Sequence, residues 1–131
     1  MNTDFEKYTL ALFSQGHIVF ESNESRLKPL VEMVQIYKGQ ETNCVLHDKI
    51  VGLASAKIIV ASGIISELHA GVMSKDAEKF LSQTDIKFTF QELVEYIINN
   101  EKTGPCPMEV KAREIADPAE FLKAMIELMG V

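Results

Sequence analysis

Tryptophan is absent from this chain, and only two of its 131 residues are cysteine. Cys44 and Cys106 lie far apart, without the C-x-x-C spacing of a metal knuckle or a redox pair. Such sparse use implies two reduced thiols in a reducing compartment. No apolar run reaches the ~18 residues that a membrane span requires. The longest, around Ile50–Ala61, is interrupted by Gly52, Ser55 and Lys57. Also missing are any Lys/Arg cluster with interleaved aromatics, any internal repeat and any linker rich in Gly, Pro or Ser. Cations are outnumbered, 13 Lys and Arg against 19 Asp and Glu, giving a formal charge of -6. An acidic chain repels phosphate backbones, which excludes broad nucleic-acid or anionic-membrane binding. The opening Met1–Glu6 is polar and acidic, unlike a signal peptide, and sets the expectation of a cytoplasmic protein. What remains, at 47% hydrophobic and 24% charged residues, reads as one soluble domain over 1–131.

The patterning gives a mixed set of elements. Two apolar runs, Tyr8–Phe13 and His17–Glu21, flank Ser14-Gln15-Gly16 and predict a β-hairpin. Pro29 marks the first turn of a helix that carries Leu30, Val31, Val34 and Tyr37 and closes at Gly39. Cys44–Leu46 reads as a short strand. Asp48 then reads as the N-cap, and Gly63 as the residue after the end, of a helix apolar nearly all round. Gly52 inside that helix implies close approach by another group. Ile64–Val72 alternates as a strand, and Ser74 caps a short helix with Ala77, Phe80 and Leu81. Ile86, Phe88 and Phe90 predict another strand. Thr89 and Glu92 form a capping box for a helix with Leu93, Val94, Ile97 and Ile98 inward. Asn99–Thr103 reads as a polar loop. Pro107 suits a helix start just after Cys106, and Asp117-Pro118 starts a last helix with Phe121, Leu122, Met125, Leu128 and Met129 as its stripe. A hairpin followed by alternating helices and strands argues for a layered α/β domain.

Four blocks occur in order: Leu27-Lys-Pro-Leu30; Asp48-Lys-Ile-Val-Gly52 with Ala54 and Ala56; Met73-Ser74 with Ala77; and Cys106-Pro-Met-Glu109. Together they resemble an uncharacterised bacterial family whose fold is similar to that of cytidine deaminase. The resemblance spans about Tyr8 to Leu128. It implies a three-layer α/β/α cytidine deaminase-like domain, with a mixed sheet opened by the hairpin, and it carries no activity to transfer. Zinc deaminases present H-x-E at the start of the central helix and P-C-x-x-C at the start of the next. Here those starts read His47-Asp48-Lys49 and Met73-Ser74-Lys75-Asp76. A lysine cannot serve as the carboxylate shuttle, and no thiolate stands at the second start. The zinc-ligand motifs are therefore lacking. No metal and no other cofactor is expected.

The candidate ligand-binding residues are Asp48, Lys49, Ser74, Cys106 and Glu109. Lys49 in a first helical turn would oppose the helix dipole, which makes sense if it meets an anionic ligand beside free N–H groups. Cys106 at a helix start is a candidate nucleophile, because a thiolate is favoured there. Plainer roles compete: Asp48 and Ser74 as caps, Glu109 as a surface acid, and Cys106 as a small hydrophobe. The leading functional reading is a pocket for a small polar or anionic, nucleotide-like metabolite, without zinc-dependent deaminase activity. The alternatives are a homo-oligomer or interaction module using the Met-rich last helix, and a thiol enzyme using Cys106. The first expected outcome concerns metal. Elemental analysis of protein purified without a metal-affinity tag should find far less than one zinc per chain, and a stoichiometric zinc that survives dialysis would contradict it.

Overall fold

The computed structural model describes residues 3–24, 27–97 and 106–131. The hairpin forms as expected, with strand β1 (Leu10–Ser14) and strand β2 (His17–Ser22) joined at Gln15 and Gly16. Both turn residues have positive φ, 52° and 82°, the conformation that matches the twist of a two-residue hairpin. Helix α1 (Lys28–Tyr37) follows, with Pro29 in its first turn.

The next element departs from the sequence expectation. Strand β3 runs Cys44–Val51, so Asp48 is a strand residue and not a helix N-cap. Its neighbours decide this. β3 pairs with β1 on one side and β4 on the other, and Lys49 N–H donates to the Thr9 carbonyl at 2.9 Å. Helix α2 (Leu53–Ser62) starts five residues later than Asp48, with Gly52 at the N-cap. Gly63 ends it in the left-handed region, as expected. Strand β4 (Ile65–Ser74) leads into helix α3 (Lys75–Leu81), and the Ser74 hydroxyl accepts the Ala77 N–H at 3.1 Å.

Strand β5 covers Lys87–Val94, so the expected capping box at Thr89 and Glu92 does not form. Parallel pairing with β4 holds Glu92, Leu93 and Val94 opposite Val72, Met73 and Ser74 and extends the strand through them. Ile98 and the loop expected at Asn99–Thr103 lie outside the described residues. Helix α4 (Pro107–Glu114) and helix α5 (Pro118–Met129) complete the chain; Asp117 caps α5 by accepting the Glu120 N–H at 3.1 Å.

The five strands form one mixed sheet in the order β2-β1-β3-β4-β5, antiparallel up to β3 and parallel beyond it. All five helices among the described residues lie on one face. α2 packs on β3 and β4 and also touches α1, α3, α4 and α5, which a helix on the far face could not reach. This corrects the expected α/β/α sandwich. The layers are sheet, then α2 with α1 and α3 at its flanks, then α4 and α5. α2 is therefore enclosed on every side, in keeping with its all-round apolar sequence.

Strand alternation sorts the two sheet faces. The rows Leu12–Leu46–Leu68–Phe88 and Leu10–Asp48–Ala70–Phe90 face the helices. The row Ala11–His47–His69–Thr89 faces the other way. There the segment before β1 covers His47, whose Nδ1 lies 2.7 Å from the Tyr8 hydroxyl. His69 bridges Glu67 and Thr89, each at 2.6 Å.

Burial, and then the nearby His69, push the His47 pKa down to about 4. Folded protein thus binds fewer protons here than unfolded protein between about 4 and 6.5, and stability from His47 rises with pH across that window. His47→Gln should lower stability at pH 7 by about 1 kcal/mol through its Tyr8 bond. The gap to wild type should narrow in thermal melts as pH falls from 6.5 to 4. A constant gap would show that His47 does not contribute to acid sensitivity.

Candidate functional site

Two ionisable side chains join α2 to α4. Pro107 opens α4 with its fixed φ, which puts Glu109 in the first turn facing the start of α2. The Glu109 carboxylate accepts the N–H of Leu53 through Oε1 and of Ala54 through Oε2, both at 2.7 Å. Further along the same contact, Lys57 of α2 donates to the carbonyls of Ala112 and of Ile115, the latter at 2.7 Å, at the end of α4. A carboxylate thus meets a helix N-terminus and an ammonium meets a helix C-terminus, the two favourable signs for the helix dipole. Both groups are buried, Glu109 at 7% exposure and Lys57 at 5%. Burial raises the Glu109 pKa, opposed by the two backbone N–H groups, and burial lowers that of Lys57.

Gly52 makes this possible. A Cβ there would stand 2.1 Å from Glu109 Oε1 and 2.8 Å from Ile97 Cγ1. The close approach inferred from the sequence is present. The approaching group is a carboxylate oxygen, and the glycine sits at the helix cap instead of within the helix.

Beside this contact lies a cavity of about 540 Å³. Asp48, Lys49, Ser55, Cys106 and Glu109 contribute to its wall, with Lys28 and Glu24 also bordering it. Leu27, Leu30, Met108 and Met129 are among its apolar neighbours. Four of the five sequence candidates are thus brought together, including Lys49 and Cys106 from distant parts of the chain. Ser74 is not among them: it is buried and spends its hydroxyl capping α3.

Three of the four differ in role from the sequence expectation. Asp48 is a strand residue at 8% exposure, in an otherwise apolar row. Its pKa is raised to about 7 by burial, against a single backbone N–H from Ile50. Its proton is held more tightly in the folded chain, so its contribution to stability falls as pH rises from about 4 to about 7. Lys49 is an exposed strand residue, and alternation directs its side chain away from the Asp48 face. Glu109 is not a surface acid, because it holds the first two N–H groups of α2. The open anion site expected at that helix end is therefore taken by the protein itself.

Cys106 does sit at the α4 N-cap, half-buried, with its N–H donating to the Ile97 carbonyl at 3.0 Å. His47 and His69, which could act as bases for its thiol, face the other side of the sheet and cannot reach it. No group of three His, Cys, Asp or Glu among the described residues is placed to hold a metal. The starts of α2 and α3 present Gly52 and Ser74, which do not fit a zinc site. The sequence reading missed the inward carboxylate of Glu109, Lys57, Ser55 and Lys28. Pro107 followed two residues later by an acid, together with a lone glycine before an apolar helix, was the available signal for the first.

Residues 4–129 match the domain family described as "Domain of unknown function (DUF1893)". This chain belongs to the DUF1893 family. Among solved structures, it is similar to a DUF1893 family protein (TM1506) from Thermotoga maritima, at 28% identity and a TM-score of 0.83, covering 93% of this chain and 81% of that one. No curated protein matches it. No helix among the described residues of this DUF1893 chain is long and apolar enough to cross a membrane.

The Gly52–Glu109 contact yields a double-mutant cycle. Gly52→Ala should destabilise the fold by pushing the carboxylate off the α2 N–H groups. In a Glu109→Ala background the same change should cost less, giving a coupling of about 0.5–3 kcal/mol in denaturant unfolding. Additive effects would show that Gly52 does not serve this contact.

Proposed function

We propose that this chain is a small-molecule-binding domain on a cytidine deaminase-like scaffold, with the cavity between β3, the start of α2 and the start of α4 as its site. The observation that carries this reading is the convergence of Asp48, Lys49, Cys106 and Glu109 on one cavity of about 540 Å³, a volume suited to a compact metabolite. The mixed sheet with parallel β3, β4 and β5 is in keeping with that scaffold; helices gathered on one face are the departure from it. A nucleotide-like ligand fits the lining, its apolar ring against Leu30 and Met108 and its anionic group outward beside Lys28. Two free cysteines fit a reducing, cytoplasmic setting.

The other readings have less support. Phe121, Leu122 and Met125 of α5 are buried within the chain, so most of the stripe that suggested an oligomer face is already covered. A thiol enzyme needs a base at Cys106; His47 and His69 face the other side of the sheet, and Glu109, though in the same cavity wall, has both oxygens engaged by the Leu53 and Ala54 N–H groups.

The test is a thermal-shift panel of nucleotides and sugar phosphates with the full chain. A true ligand at 100 times its Kd should add about 2.7 kcal/mol of stability. It should also slow iodoacetamide alkylation of Cys106, while the fully buried Cys44 stays protected with or without it. A panel with no stabilising compound would count against the reading.

A further inference from the structure

Among the described residues, no cation pairs with Asp48. The ion pairs among the described residues are Glu67–His69, Glu95–Lys75 and Asp76–Arg113, none of them at the cavity. Its carboxyl is more than nine-tenths buried, borders the cavity and has no side-chain partner there. A structural acid at such a position would be expected to bring its own cation or several donors, because burying a carboxylate unpaired is costly. Glu109, the second acid of the wall, spends both oxygens on α2 and leaves its negative charge in place. The buried polar part of the lining, its inner end, is thus formed by the Asp48 and Glu109 carboxylates and the Ser55 hydroxyl, with apolar walls around it.

We propose that the inner end of this cavity receives a cationic N–H group, an amidinium, guanidinium or protonated amine carried on a compact apolar body, and that the Asp48 carboxylate is its partner. The inference rests on the small-molecule reading and deepens it, since the ligand becomes amphoteric: cationic inward, with any anionic group outward. A planar amidinium suits a carboxylate because two parallel N–H bonds match its two oxygens. An inward anion would face Asp48 and Glu109 with the α2 N–H groups already committed.

Binding of such a group is coupled to protonation. Among the described residues, the ionisable groups bordering the cavity are Glu24, Lys28, Lys49, Cys106 and Glu109 besides Asp48. With its pKa near 7, Asp48 is largely protonated at pH 6 and must release that proton to pair with a cation. Affinity for a cation should therefore rise about tenfold from pH 6 to pH 8.

Benzamidine, benzamide and benzoate share one ring and differ in the charge and donors of the head group. Each would be titrated into the full chain at pH 6 and pH 8, with binding followed by amide chemical shifts of Leu30, Ala54 and Cys106. The expected result is that benzamidine binds tightest and about tenfold better at pH 8, and that benzoate binds weakest. Asp48→Asn, which keeps an acceptor for the Ile50 N–H, should lose most of the affinity and all of the pH trend. That arm separates Asp48 from Glu109, and the wild-type pH trend stands as a test even if the variant does not fold. Benzamide equal to benzamidine, benzoate the tighter ligand, or no pH trend would each overturn the inference. Silence from all three compounds would overturn it too. The wider binding reading falls only if the nucleotide and sugar-phosphate panel is silent as well.

Discussion

Helix α2 is enclosed by the sheet and by four other helices, so the N–H groups at its start are shielded from solvent and must be satisfied by the protein. Gly52 at the cap has no side chain with which to do this. The Glu109 carboxylate does it from α4, and Lys57 returns the contact at the far end of α4. Removing one partner of such an arrangement would strand buried polar groups, which costs more than the net worth of a hydrogen bond. The position of α4, and with it one wall of the cavity, depends on this exchange.

The same interaction shapes what the cavity can do. By occupying the α2 N-terminus with its own carboxylate, the protein closes the most obvious place for an anion. It leaves a second buried carboxylate bordering the same cavity as Asp48, a cavity otherwise lined largely by aliphatic and methionine side chains. Asp48 itself sits between Leu10 and Ala70 in a row of core residues, a position that opposes stability when the group is ionised. Folding alone gives no reason for a carboxylate there, whereas the proposed ligand would supply one.

Much of the element order was legible in the residues. Gln15-Gly16, Pro29, Ser74, Pro107 and Asp117-Pro118 mark turns and helix starts through local backbone chemistry, and each is found where that chemistry placed it. The two misplaced boundaries share a cause. Asp48 and Thr89–Glu92 carry genuine capping signals, yet both lie in strands because neighbouring strands claim their backbone groups. Local preference is worth about 1 kcal/mol, and a ladder with partners on its sides outweighs it.

The sequence by itself determined an acidic α/β chain with a wholly enclosed central helix, a hairpin at its start and two distant cysteines. Those properties follow from composition, hydrophobic period and turn residues, all of which act over a few neighbours. Only the tertiary structure decided that every described helix shares one sheet face, that Glu109 turns inward, and that Asp48 is a buried strand residue between Leu10 and Ala70. Each of these joins residues tens of positions apart, where the deciding terms are shielding from water and the pairing of buried charge. Such terms have no signature in local spacing, since they exist only once the chain has closed around them.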